Sequence, residues 1–181
     1  MRPSPVADNL LHLLEVRPLR VDDLAPARYV MSSAFQTAAK HFYRQAEIAA
    51  YVKYLRSPLY ADVLLGNRAF AAWVGSEMVG VAAWSVGEQS SPVARILAIF
   101  VRPLFAGEGI ASRLIEFLEQ DARNAGFRSV EAGVTLNAVD LFERQGYEVE
   151  GEGVLRLPGA GEMQIARMWK DSTSTTPEIM H

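Results

Sequence analysis

Residues 93–126 read VARILAIFVRPLFAGEGIASRLIEFLEQDARNAG, and the succession of residue types in them decides the fold. After Arg95 the run to Val101 is continuously apolar, long enough for a buried strand. Pro103 lacks the N–H that a strand ladder needs and stops it. Ala106, Gly107 and Gly109 then form a small-residue turn, and from Ile110 the spacing becomes helical. Ile110, Ala111, Leu114, Ile115, Leu118 and Ala122 fall on one face; Glu116, Glu119 and Arg123 fall on the other.

That helix starts without an ordinary cap, because the turn contains no Ser, Thr, Asp or Asn. The first N–H groups of a helix need acceptors. Glycines let a ligand approach them, and the helix dipole favours an anion. Strand, glycine turn and helix together read as a phosphate or pyrophosphate site. The same glycines would also serve a plain tight turn with water on the amides. Two familiar phosphate motifs are excluded. A nucleotide P-loop ends in Gly-Lys-Ser/Thr, whereas this turn ends in Gly-Ile-Ala. A dinucleotide turn needs a third glycine where Ser112 stands.

Working outward, residues 13–19 read as a first strand. A helix follows from residues 21–24, with Asp22 or Asp23 as its N-cap. Residues 34–56 are mostly helical, interrupted by the polar and aromatic cluster Lys40-His41-Phe42-Tyr43-Arg44. Residues 68–74 and 78–86 form a hairpin around Gly75-Ser76-Glu77. Residues 87–92 are a loop. Downstream, 129–135 is a strand, 137–145 a helix ended by Gly146, and 147–157 and 163–170 are two further strands. The order is β, α, α, β, β, β, α, β, α, β, β. Residues 1–12 are expected to be a flexible N-terminus, 13–170 one domain, and 171–181 a disordered polar tail.

The chain has 181 residues, half of them hydrophobic, which suits one domain with a sizeable core. A net charge of −3 gives no bulk attraction to nucleic acid or to an anionic membrane. Without cysteine there are no disulfides, thiolate nucleophiles or thiolate metal ligands. No run approaches the ~20 apolar residues of a membrane helix. A cytoplasmic protein without a metal, a nucleic-acid partner or a membrane partner is expected, and a homodimer is allowed.

The loop at residues 106–111 resembles the pyrophosphate loop of the GCN5-related N-acetyltransferases, the GNAT superfamily. That loop reads Gln/Arg-x-x-Gly-x-Gly/Ala after a strand ending in Val-x-Pro. Here Gly109 and Ala111 are in register after Val101-Arg102-Pro103. Ala106 departs from the pattern: its side chain contributes nothing to an anion, although the backbone amides remain. A second segment, residues 136–149, LNAVDLFERQGYEV, is similar to the family's Asn-x-x-Ala-x-x-Leu-Tyr-x-x-x-Gly-Phe. Ala138, Leu141-Phe142, Gly146 and Tyr147 align, and the asparagine position falls on Thr135 with Asn137 close by. Read by itself, the segment is also an ordinary amphipathic helix capped by Asn137. The resemblance spans residues 13–170.

The resemblance implies an α/β fold of GNAT type: a mixed, mostly antiparallel twisted sheet flanked by helices, with splayed central parallel strands. It implies an acetyl-CoA-dependent N-acetyltransferase that transfers acetyl directly to an amine. The acceptor would be a small molecule or a peptide, with no metal involved. The implied cofactor contacts are Ile99, Phe100 and Val101 on the splayed strand and Ala106, Gly107, Glu108, Gly109, Ile110, Ala111 and Ser112 in the loop. Thr135, Asn137 and Phe142 complete them. Phe142 stands where the family often has a tyrosine that protonates the leaving thiolate; a phenyl ring has no acidic proton. A thiol with pKa ~8.5 still leaves tolerably at neutral pH. The strand at residues 95–101 carries no carboxylate, so a base must come from elsewhere; the resemblance makes Glu88 and His41 candidates, because the family builds its acceptor pocket from those regions, and each also reads as a solvated surface residue. Trp84 and Tyr43 are candidate pocket walls, Trp84 reading equally as core, and Arg102 and Arg113 are candidate phosphate partners that read equally as a solvated face. The rival readings are a non-catalytic acyl-CoA-binding or sensing protein and a protein that binds another phosphate-bearing cofactor.

Overall fold

The computed structural model describes residues 5–88, 92–159 and 161–171. Alternating and continuous apolar runs become seven strands: β1 (Leu14–Pro18), β2 (Arg68–Val74), β3 (Glu77–Val86), β4 (Val93–Val101), β5 (Ser129–Thr135), β6 (Glu148–Leu157) and β7 (Gly161–Asp171). They form one sheet in the order β1-β2-β3-β4-β5-β7-β6. Every neighbouring pair is antiparallel except β4 and β5. A parallel pair needs a crossover, and the amphipathic helix read in the sequence supplies it.

Among the described residues six α-helices flank the sheet: α1 (Pro5–His12), α2 (Leu24–Ala38), α3 (Gln45–Leu55), α4 (Pro58–Leu65), α5 (Ile110–Asn124) and α6 (Val139–Arg144). α2, α3 and α4 bury Met31, Phe35, Ile48, Leu55 and Leu64 against one face of the sheet. α5 and α6 bury Leu114, Ile115, Leu118 and Phe142 against the other. The middle of β3 is therefore buried on both faces, and residues 78–84 are all apolar or Gly. Gly80 lets α5 come close: a Cβ there would stand 2.9 Å from Leu114 Cδ1.

Three local features differ from the expectations. Pro5–His12, expected to be loose, is helical, because Leu10 and Leu11 have apolar core to cover on the α5 side. α4 was not anticipated; Ser57 Oγ accepts from Tyr60 N at 3.3 Å and Pro58 opens the helix. α2 is entered through a single 3₁₀ turn, Val21–Asp23, and the Asp23 carboxylate accepts from Arg20 N at 2.9 Å instead of capping forward. Of the expected polar tail, Asp171 ends β7 and residues 172–181 lie outside the described residues.

Candidate functional site

β4 and β5 are paired only at their starts, Val93–Ile96 against Ser129–Ala132. The cause sits on the other edge of β4. Ala83 pairs with Ala98 but Trp84 with Ile96, so Leu97 is an extra residue, a bulge that bends the strand. From Leu97 to Val101 the backbone has no partner strand on the β5 side. Tyr43 braces the far side of the opening. Its hydroxyl donates to Gln164 O at 2.6 Å and accepts from Leu136 N at 2.8 Å. Burial raises its pKa, with the Leu136 N–H opposing. Tyr43 is thus a structural brace whose hydroxyl is fully engaged. Trp84 likewise donates from its indole to Asp121 Oδ2 at 2.8 Å in the core under α5.

At the end of β4, Pro103–Phe105 makes a 3₁₀ turn and the chain reaches α5 through Gly107 and Gly109, with φ of 80° and 82°. Side chains rarely tolerate that backbone, which is why glycine stands at both positions. Gly109 occupies the N-cap position and no side chain caps the helix. The N–H groups of its first turn have no intrahelical acceptor. They face a cavity of about 430 Å³. Ile99, Phe100, Val101, Ala106, Gly107, Gly109, Ile110, Ala111, Ser112, Thr135 and Asn137 all line it. Of the residues expected there, Glu108 lies off the wall and Phe142 lines a neighbouring cavity. Asn137 does not cap α6; its Oδ1 is buried without a partner on the cavity wall.

Several lining residues were not foreseen. Ala34 and Ala38, one turn apart on α2, leave room beside Phe35. Ala138, Leu141 and Arg144 recur every three residues along the start and body of α6 and face the same way. That spacing is legible in the sequence. Arg144 is the one charged residue on this wall, whereas the two arginines expected to serve phosphates are engaged elsewhere. Arg102 pairs with Glu77 and covers the ring of Tyr29. Arg113 lies 3.8 Å from Glu116, in a groove between β1 and α5.

Two further cavities adjoin the opening at the sheet. A cavity of about 50 Å³ fills the splay, walled by residues 96–100, residues 132–135, Tyr51, Ala138 and Phe142. It shares Ile99, Phe100, Thr135 and Ala138 with the 430 Å³ cavity. On its other side it shares Ile96, Leu97, Ala132 and Gly133 with a third cavity of about 520 Å³. That third cavity carries Glu88, Glu131, Glu150, Arg95 and Arg167. Arg95 Nε donates to Glu131 Oε1 at 2.9 Å, and its Nη1 lies 3.4 Å from Glu88. Glu88 is thus at the far mouth, its side chain 84% exposed. His41 is exposed and lies on none of these three walls. Among the described residues no group of three or more His, Asp or Glu is placed to hold a metal ion, and no helix is long and apolar enough to cross a membrane.

The family model described as acetyltransferase (GNAT) family matches residues 35–147. An uncharacterized N-acetyltransferase of Methanocaldococcus jannaschii is 28% identical in an alignment of 147 residues that covers 77% of this chain; the chain spans 63% of that relative's length. A GCN5-related N-acetyltransferase structure from Rhodopseudomonas palustris superposes with a TM-score of 0.78 at 19% identity, covering 87% of this chain and 94% of that one. A PaiA N-acetyltransferase from Thermoplasma acidophilum, in complex with coenzyme A, superposes with a TM-score of 0.66 at 17% identity, covering 87% and 98%.

Proposed function

The chain belongs to the acetyltransferase (GNAT) family, and on that footing we propose that it binds acetyl-CoA in the 430 Å³ cavity and transfers the acetyl group to an amine. The observation that carries this reading is the adjacency of the uncapped start of α5, the unpaired part of β4 and the splay, whose two cavities share wall residues. The residues present suit the cofactor. The first turn of α5 offers N–H donors to a pyrophosphate, and the positive φ of Gly109 keeps side-chain bulk away from them. Arg144 would meet a phosphate, the cation that Ala106 does not provide. The free edge of residues 97–101 and the orphan Asn137 Oδ1 would pair with the amides of a pantetheine arm. A PaiA acetyltransferase of the same fold is in complex with coenzyme A, which supports the choice of ligand.

When bound, acetyl-CoA supplies an acyl group activated as a thioester. The protein's own part is to place that group in the splay and admit the amine from the opposite mouth. Glu88 at that mouth is the carboxylate that would take the amine's proton, through water; His41, on no cavity wall, ranks behind it. The acceptor class proposed is a small molecule or a peptide.

Phe142 favours a second reading, an acyl-CoA-binding or sensing protein without turnover. It is 4% exposed, packed edge-on to Tyr147 with centroids 5.0 Å apart, and has no proton to give. Tyr147's own hydroxyl is committed to Glu119 at 2.9 Å. Thermal shift with CoA, ATP and NAD, followed by acetyl-CoA turnover over a panel of amines, tests both. CoA should stabilise the protein at concentrations where the nucleotides do not. Equal stabilisation by all three would remove the CoA assignment, and binding without turnover on any amine would favour the second reading. Arg144→Ala should weaken CoA about threefold to tenfold, less at high salt, since the arginine is exposed. Calorimetry at two salt concentrations measures it; an unchanged affinity at low salt would mean that the phosphates are held elsewhere.

A further inference from the structure

Phe142 removes one hydroxyl from the splay, and the fold supplies another from the opposite side. Tyr51, on α3, lines the same 50 Å³ cavity as Phe142. It belongs to the core on the α2/α3 face, whereas Phe142 belongs to the core on the α5/α6 face. Tyr51 is 7% exposed, with its ring edge-on to Phe35 at 4.5 Å between centroids. Among the described residues its hydroxyl has no hydrogen-bond partner. Unlike that of Tyr60, this hydroxyl is not fully enclosed, so it is free to donate to a group that occupies the cavity. The nearby phenols differ. Tyr43's hydroxyl is used twice, and Tyr60's is fully enclosed on no cavity wall described above.

We propose, on the premise that acyl-CoA binds as described above, that the Tyr51 hydroxyl donates a hydrogen bond to the acyl carbonyl oxygen in the splay and stabilises the charge that gathers there. Attack by the amine forms a C–N bond and moves the carbonyl π pair onto oxygen. Return of that pair breaks the C–S bond, and the sulfur leaves with its electrons as the thiolate. The amine's proton goes to the base or to water, so Tyr51 neither gives up nor receives a proton. Burial, with smaller contributions from Tyr54 and Tyr43, raises its phenol above the ordinary value near 10. Protonating a thiolate whose acid has a pKa of about 8.5 would run uphill from such a phenol. A donor that keeps its proton is therefore the suitable role, and fixed donors aimed at developing oxyanion charge are among the larger catalytic effects. Tyr51 would be a catalytic residue that makes no use of the position Phe142 leaves vacant.

The test compares the wild type and Tyr51→Phe by two readouts. One is the infrared stretch of the carbonyl in bound ¹³C-labelled acetyl-CoA; the other is the rate of acetyl transfer, or of acetyl-CoA hydrolysis if no amine is accepted. The variant should melt at the same temperature and bind CoA equally well, since no protein hydrogen bond is lost. Its bound carbonyl should absorb at higher wavenumber, and kcat should fall by on the order of 10²-fold. An unchanged carbonyl band with CoA binding retained would overturn the role of Tyr51 alone. A loss of CoA affinity with no change in the band of the bound fraction would make Tyr51 a wall residue and also overturn it. Failure of the wild type to bind acetyl-CoA would overturn the cofactor assignment, and this role with it.

Discussion

Ala111→Asp should abolish measurable CoA binding at ordinary concentrations while leaving the fold as stable as before, or more so. Ala111 is the second residue of α5 and lines the large cavity. An aspartate there sits in the first turn, where a carboxylate interacts favourably with the helix dipole by about 0.3–1 kcal/mol. The same charge occupies the space that the phosphates need and takes up donors meant for them. Losing two or more charge-assisted hydrogen bonds, each worth about 1.5–3 kcal/mol, lowers affinity at least 10²-fold. Opposite signs in the two readouts make this variant more informative than a change at Gly109. There, φ of 82° strains any side chain, and Leu11 Cδ1 lies 3.6 Å from where a Cβ would stand. Melting temperature and calorimetric affinity for CoA check the prediction. Wild-type affinity in Ala111→Asp would move the phosphates away from α5.

The second large effect concerns stability and leaves the cavities alone. Glu119, expected on the polar face of α5, instead borders the apolar one, because it lies four residues after Ile115 and three before Ala122, and its side chain is only 6% exposed. It accepts from Tyr147 Oη at 2.9 Å and from Lys170 Nζ at 3.0 Å to each carboxylate oxygen. Burial, followed by the charge of Glu119, holds the Tyr147 phenol far above its ordinary value, so it remains a donor. Lys170→Met would leave a buried carboxylate with one neutral donor. Breaking such a pair from one side costs roughly 3–5 kcal/mol, a fall in Tm on the order of 10 °C for a chain of this length. Adding Glu119→Gln should recover most of it, because a neutral amide oxygen still accepts from Tyr147. None of these residues lines a cavity described above, so CoA affinity should hold in both variants at temperatures where they are folded. A single variant that melts within 1 °C or so of the wild type would show that the carboxylate reaches water.

The part of the fold read correctly is the part governed by local chemistry. Pro103, the glycine pair and the change of period at Ile110 mark β4, the loop and α5 without reference to the rest of the chain. The loop half of the cavity followed, because a missing cap is a property of sequence. The splay itself was not read from the residues. Leu97 differs in no way from its apolar neighbours, and its bulge exists only in the pairing with β3. The resemblance to GNAT proteins carried that expectation. Tyr51, Ala34 and Ala38 reach the cavities through the packing of α2 and α3, which no local pattern encodes. α4 had both a cap and a starting proline, yet PLYADVLL is too uniformly apolar to show a helical period. Residue type does not separate a pocket wall from a core position: Trp84, which reads as either, is core with its indole tied to Asp121, and the Tyr43 hydroxyl is tied to backbone.

Amide hydrogen exchange with and without acetyl-CoA reports both whether the cofactor binds and where. Exchange should slow in residues 97–101 and in the turn and first helical turn at 106–113, with β1, β2 and the groove between β1 and α5 unchanged. Saturating acetyl-CoA that leaves 97–101 and 106–113 exchanging at their free rates would contradict binding in the 430 Å³ cavity.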